Sequence, residues 1–136
     1  MNVVDASIAI KLVINEPDSA AIRLHWQTWI LANESLVVPP LFRSETLSVI
    51  RRTVYRGLIS QADGDRARSG LDQLGLHVLE PSDLYERAWN LASRFNRPTI
   101  YDCCYVALAE ILRCDFWTAD RRLANALNSL PWVRTP

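Results

Sequence analysis

Lysine is almost absent from this chain: of 15 basic residues only Lys11 is lysine, and the rest are arginine. The formal net charge is zero, which removes any chain-wide positive field as an argument for nucleic-acid or membrane binding. What basic character exists is arginine, the side chain suited to forked contacts with phosphate and carboxylate but equally used in ordinary ion pairs. Cysteine is scarce too. Cys103, Cys104 and Cys114 are an odd number, and no second pair completes a zinc-binding spacing, so a disulfide framework and a zinc module are both set aside. They read as small buried apolar residues of a reducing compartment. The two histidines, His25 and His77, lie among apolar residues with no matching ligand spacing and are assigned no chemistry. Long hydrophobic runs are missing as well. Asp5 interrupts the first apolar segment, and no later run approaches the ~20 residues of a membrane span, so neither a signal peptide nor a membrane helix is expected and the location expected is cytoplasmic.

What remains is a chain of 136 residues, 49% apolar and 22% charged, the composition of a soluble globular protein. Its length predicts a single domain over residues 1–136. Hydrophobic periodicity gives alternating elements. Short β-branched runs at Asn2–Val4, Leu36–Val38, His77–Leu79, Asp115–Thr118 and Trp132–Arg134 read as strands. Helical spacing appears over 7–14, from Asp18 or Ser19 to about Asn33, over 41–56 with Gly57 as its stop, from a Ser60 cap to Leu74, over 84–95, from Tyr101 onward, and over 121–127. In the second helix Ile22, Trp26, Trp29 and Ile30 form one stripe, and in the sixth Tyr101, Tyr105, Leu108 and Leu112 form another. Gly64 and Gly70 weaken the fourth. Strands separated by helices require crossovers, and crossovers give a parallel sheet covered on both faces. The predicted fold is α/β: a three-layer α/β/α sandwich around a central, mainly parallel sheet.

Four acids fall where such a sheet presents its ligands. Asp5 and Asp120 follow strand ends, Asp102 lies in the first turn of a helix, and Glu45 lies in the helix after Pro39-Pro40. Ligands of open parallel sheets bind outside the carboxyl ends of the strands. Each acid alone could be a cap or a turn residue, but several carboxylates converging on one sheet end call for a counter-cation. Mg²⁺, or Mn²⁺, is the expected cofactor, with Asp5, Asp102 and Asp120 as candidate ligands and Glu45 completing the catalytic set. Ser7 and Thr118 are candidate supports for a metal water, although each could equally be a local cap or core hydroxyl. Glu45 shares a helix face with Val49, Arg52 and Arg56, with Arg51 adjacent. That basic shelf, with Arg121, is a candidate contact for the phosphates flanking a cleaved bond, although it could equally be a solvated face with local ion pairs.

With those residues set out, the chain resembles the PIN-domain family, and within it the VapC-type toxin ribonucleases of bacterial toxin–antitoxin pairs. Val4-Asp5-Ala6-Ser7 followed by Lys11 resembles the family's opening, and Pro39-Pro40-Leu41-Phe42-Arg43-Ser44-Glu45 its second acid motif. The run from Tyr101-Asp102-Cys103-Cys104 to Ala109 is similar to the third, and Thr118-Ala119-Asp120-Arg121-Arg122-Leu123 to the fourth. Cys103 departs from the alanine common at that position. The resemblance implies a metal-dependent endoribonuclease with an RNA substrate, a small VapB-type antitoxin partner, and a homodimer. It also implies that Asp5 and Asp102 are the direct metal ligands.

Other readings fit less well. A haloacid-dehalogenase-type phosphatase needs a second aspartate where this chain has Ser7. A receiver domain needs a phospho-acceptor aspartate after a middle strand, and the ends at Val38-Pro39 and Leu79-Glu80 supply none. The alternative from a different class is a catalytically silent PIN-like module that only binds a partner.

Overall fold

A computed structural model describes all 136 residues. The elements run in the order β1 (Asn2–Val4), α1 (Ala6–Val13), α2 (Ser19–Leu31), β2 (Leu36–Val38), α3 (Leu41–Tyr55), α4 (Gln61–Asp72), β3 (His77–Val78), α5 (Leu84–Arg94), α6 (Tyr101–Leu112), β4 (Asp115–Trp117), α7 (Arg121–Ala126) and β5 (Val133–Arg134). The five strands form one parallel sheet in the order β3-β2-β1-β4-β5, with Val3 opposite Val37 on one side and Phe116 on the other. Successive residues of a strand face opposite sides of a sheet. Val3 and Val4 are both fully buried, as Val37 and Val38 nearly are, so both faces are covered and the α/β/α sandwich expected from the sequence is the fold. The helix α6 lies against β1 and β4 and pairs closely with α5, while α1 packs with α2, α3 and α4.

From β1 the chain builds outward through β2 to β3, then returns to the other side of β1 for β4 and β5. The strand order therefore reverses between β1 and β4. Neighbouring crossovers diverge there and leave a crevice at the carboxyl end of the sheet. Asp5 follows β1 and Thr118 to Asp120 follow β4, so the switch point fixes where these residues meet.

The glycines that weaken α4 as a helix have a packing reason. A Cβ on Gly64 would come within 2.5 Å of Val54 Cγ2, and one on Gly70 within 3.1 Å of Val13 Cγ1; α4 is held tightly to α3 and α1. At the end of α3, Gly57 takes φ +71°, the left-handed geometry of a helix C-terminus.

Two predicted stripes differ in detail. Ile22 and Trp29 are buried, but Ile30 is exposed. Trp29 packs edge-on to Trp117 of β4 at 5.1 Å, and His25 lies 5.4 Å from the same ring. In α6, Tyr105 and Leu108 are buried whereas Tyr101 is 62% exposed. His77 lies exposed on the edge strand β3. No helix is long and apolar enough to cross a membrane.

Candidate active site

Asp5 is the N-cap of α1, accepting from Ile8 N at 3.2 Å, and is almost completely buried. Ser7, the second residue of the helix, donates its hydroxyl to the Asp5 carboxylate at 2.5 Å and accepts from Ala119 N at 2.8 Å. The backbone of Asp5 donates to Trp117 O. Ser7 thus joins the β1–α1 turn to the β4–α7 turn, its hydroxyl 3.4 Å from that of Thr118. Thr118, fully buried, accepts from Asp120 N at 3.0 Å. Both hydroxyls fix the two turns beside Asp5. Burial pushes the Asp5 carboxyl up to about 6, although the Ser7 and Thr118 hydroxyls and the Ile8 amide act in the other direction. Desolvation wins because no cationic side chain faces the carboxylate.

Glu45, half-buried on α3, accepts from the phenol of Tyr105 on α6 at 2.8 Å. Burial raises its carboxyl above the ordinary range, the Tyr105 hydrogen bond opposes this, and the charge of Asp102 adds to the rise. The Tyr105 phenol is pushed far up by burial and by the charges of Glu45, Asp5 and Asp102, so it remains a donor. Tyr105 joins Glu45 to the centre, a role the sequence hid: its helical spacing reads as core, and its ring is core, while its oxygen is not. Asp102 opens α6 and is approached by Arg97 from the preceding loop at 3.4 Å.

The charge of Glu45 thus reaches Asp5, that of Asp102 reaches Glu45, and Tyr105 senses all three. Asp120 is tied to this turn only through its backbone N–H on Thr118, and its exposed carboxylate turns onto its own helix, accepting from Arg122 N at 2.9 Å and Leu123 N at 3.1 Å. Arg121 lies nearer Asp18, whose carboxyl Lys11 holds low and Arg121 lowers further. Lys11 itself is tied to Glu16 and Asp18, each at 2.6 Å.

A cavity of ≈ 440 Å³ opens over Glu45 and Asp102, with Ser44, Ser48, Thr99 and Tyr101 around it. On its far side Ser44 and Ser48 lead into a second, shallower one of ≈ 550 Å³ bounded by Arg51, Arg52 and Tyr55. The basic shelf expected along Glu45 is thus Arg51 and Arg52; Arg56, the C-cap of α3, does not line it.

The residues could hold a hard cation by charge and donor type: the polar set is carboxylate and hydroxyl oxygen, which favours Mg²⁺ or Mn²⁺ over softer metals. No three acidic, histidine or cysteine side chains stand together as a finished chelate. Repelling carboxylates take local donors instead, Asp120 from its helix, Glu45 from Tyr105 and Asp102 from Arg97.

The family model of the PIN domain matches residues 3–127. Ribonuclease VapC9 of Mycobacterium tuberculosis is 36% identical over 125 residues, covering 92% of this chain and 90% of its own. Ribonuclease VapC12 of the same organism is 33% identical, covering 93% and 92%. Among solved structures, a toxin–antitoxin complex from Klebsiella pneumoniae superimposes with TM-score 0.70 at 17% identity, over 100% of this chain and 98% of the other. Mycobacterium tuberculosis VapC20, a sarcin-ricin loop cleaving toxin, does so with TM-score 0.68 at 16% identity, over 93% and 95%. With its acids at the switch point of a parallel sheet and its likeness to the VapC ribonucleases running through nearly the whole length, the chain belongs to the PIN-domain family.

Proposed function

We propose that this protein is a Mg²⁺-dependent endoribonuclease toxin that hydrolyses RNA phosphodiester bonds and is neutralised by a small VapB-type antitoxin. The observation that carries the reading is that the charge of Glu45 acts on buried Asp5 beside the β1/β4 switch point, and that of Asp102 on Glu45, with no cationic side chain on Asp5 or Glu45. Asp5 and Asp102 would hold the ion, with Asp120 as a third ligand beside them. When bound, the ion supplies Lewis-acid polarisation of the phosphate and acidifies water. Mn²⁺ offers the same chemistry.

Glu45, raised by burial and steadied by Tyr105, receives the proton as water attacks phosphorus. The bond from phosphorus to the 3′ oxygen breaks, that oxygen takes up a proton from solvent water, and the products are a 3′-hydroxyl and a 5′-phosphate. No histidine or nucleophilic side chain is required. The second cavity lets Arg51 and Arg52 meet the flanking phosphates as charge-assisted partners. The same acids explain neutralisation: an antitoxin arginine can enter the carboxylate pocket and take the cation's place. A homodimer belongs to the same reading and rests on family likeness.

The test is cleavage of RNA by purified protein with Mg²⁺, with EDTA, and in the Asp5→Asn and Asp102→Asn variants. Cleavage by the unmodified protein that is lost in the other three is expected, with 5′-phosphate ends. Undiminished cleavage by either variant would remove that residue from the mechanism, and no cleavage by the unmodified protein would leave a PIN-fold binding module.

A further inference from the structure

Of the four acids only Asp102 has an ion-pair partner, and that partner is Arg97; Asp5, Glu45 and Asp120 have none. One guanidinium nitrogen reaches the carboxylate at 3.4 Å, with the two side chains 28% and 42% exposed. The local backbone fixes where Arg97 stands. Arg97 N donates to Ala92 O at 2.8 Å and Asn96 N to Ser93 O at 3.3 Å, with Asn96 at φ +49°. Those two bonds are the Schellman closure of α5, made here by asparagine, one of the few residues that visit the left-handed region readily. Pro98 follows and disfavours the helical region for Arg97. Arg97 is thus tied by its backbone and free only in its side chain. It lies two residues ahead of Thr99, which lines the acidic cavity together with Asp102.

A carboxylate beside other acids needs a positive charge, and in this chain a single arginine supplies it. We propose that Arg97 holds Asp102 when no divalent cation is bound and competes with the cation for that carboxylate, so that it sets the cation concentration at which the site loads. The proposal rests on the metal-dependent ribonuclease reading and adds to it the residue that governs its cation requirement. The geometry suits a contact that must give way. A short, two-pronged guanidinium–carboxylate pair would hold Asp102 firmly. A single nitrogen at 3.4 Å in a partly exposed setting is worth no more than about fivefold in an equilibrium constant. A doubly charged ion that favours oxygen ligands can displace it, and the long side chain can swing clear without moving the capped backbone.

The test is Mn²⁺ binding to the RNA-free protein, followed by electron paramagnetic resonance of the free ion. Arg97→Gln, which removes the charge, should bind Mn²⁺ about fivefold more tightly than the unmodified protein. Arg97→Lys, which keeps the charge, should stay within about twofold of it. Melts add a readout that a purely structural arginine would not give. Arg97→Gln should melt below the unmodified protein in EDTA and converge on it at saturating Mg²⁺, because the lost pair stabilises only the ion-free state. Equal or weaker Mn²⁺ affinity in Arg97→Gln overturns the proposal, as does a melting deficit that persists at saturating ion. If RNA binding weakens in Arg97→Gln while Mn²⁺ affinity is unchanged, the proposal also falls and Arg97 belongs to the substrate. Two controls separate the levels. Mn²⁺ binding by neither protein, or binding that survives Asp102→Asn, sinks the metal reading beneath the proposal, whereas binding that needs Asp102 and ignores Arg97 sinks the proposal alone.

Discussion

At the scale of single residues, the site is set by which carboxylates lose water and which donors they keep. Burial moves the Asp5 carboxyl from 3.8 to about 6. Between those values the folded chain holds a proton that the unfolded chain has released, so stability falls as pH rises through that window. The loss approaches ~3 kcal/mol by neutral pH, as an upper bound. Asparagine keeps the acceptor for Ser7 and Ile8 without the charge. Asp5→Asn should therefore raise the thermal midpoint at about pH 7.5 in divalent-free buffer, and the gain should vanish by about pH 4. Melts at both values decide the matter; a lower midpoint at both would make Asp5 a structural cap. Tyr105 gives a second expectation. Its hydrogen bond opposes the upward shift of Glu45, so Tyr105→Phe should move the acid limb of the pH–rate profile to higher pH and lower kcat. An unmoved limb would separate Tyr105 from the proton transfer.

At the scale of elements, the helices were legible because their periodicity is one of apolar side chains, and their contacts were not. Gly64 is unfavourable in a helix read alone, and the close passage of Val54 accounts for it. Alanine would gain about 1 kcal/mol in helix propensity, but its methyl would meet a β-branched side chain with few rotamers. Overpacking of this kind costs ~1–3 kcal/mol, so Gly64→Ala should be destabilised on balance. Adding Val54→Ala should recover part of the loss, as a double-mutant cycle from urea midpoints will show. Gly70→Ala, 3.1 Å from Val13, should be much nearer neutral. Tyr101 and Ile30 show the same limit from the other side. Each continues a helical stripe in sequence, and each is exposed in the fold.

At the scale of the whole molecule, zero net charge means that attraction to RNA must come from local placement. Two unpaired arginines in one groove are a small neutralising set. Replacing Arg51 and Arg52 together with alanine should flatten the dependence of log affinity on log salt by about 1.4 for a single strand, about 0.7 for each lost phosphate contact. An unchanged slope in titrations at several salt concentrations would mean that both guanidinium groups are solvated. The acidic pocket should act independently: Mg²⁺ should raise the midpoint of the unmodified protein and leave that of Asp5→Asn unmoved.

The sequence by itself determined the alternation of strands and helices, the α/β class and the four acids with their order, because these depend on periodicity and on residue type. The carboxyl ends of β1 and β4 were brought together only by the tertiary structure, since strand order is decided by which hydrophobic faces pair across long crossovers. The same packing turned Tyr105 from a core ring into the donor for Glu45 and turned Asp120 onto its own helix. It also gave the shelf beside Glu45 to Arg51, Arg52 and Tyr55 rather than Arg56. A helical face repeats every 3.6 residues, and what it meets depends on elements far away in the chain.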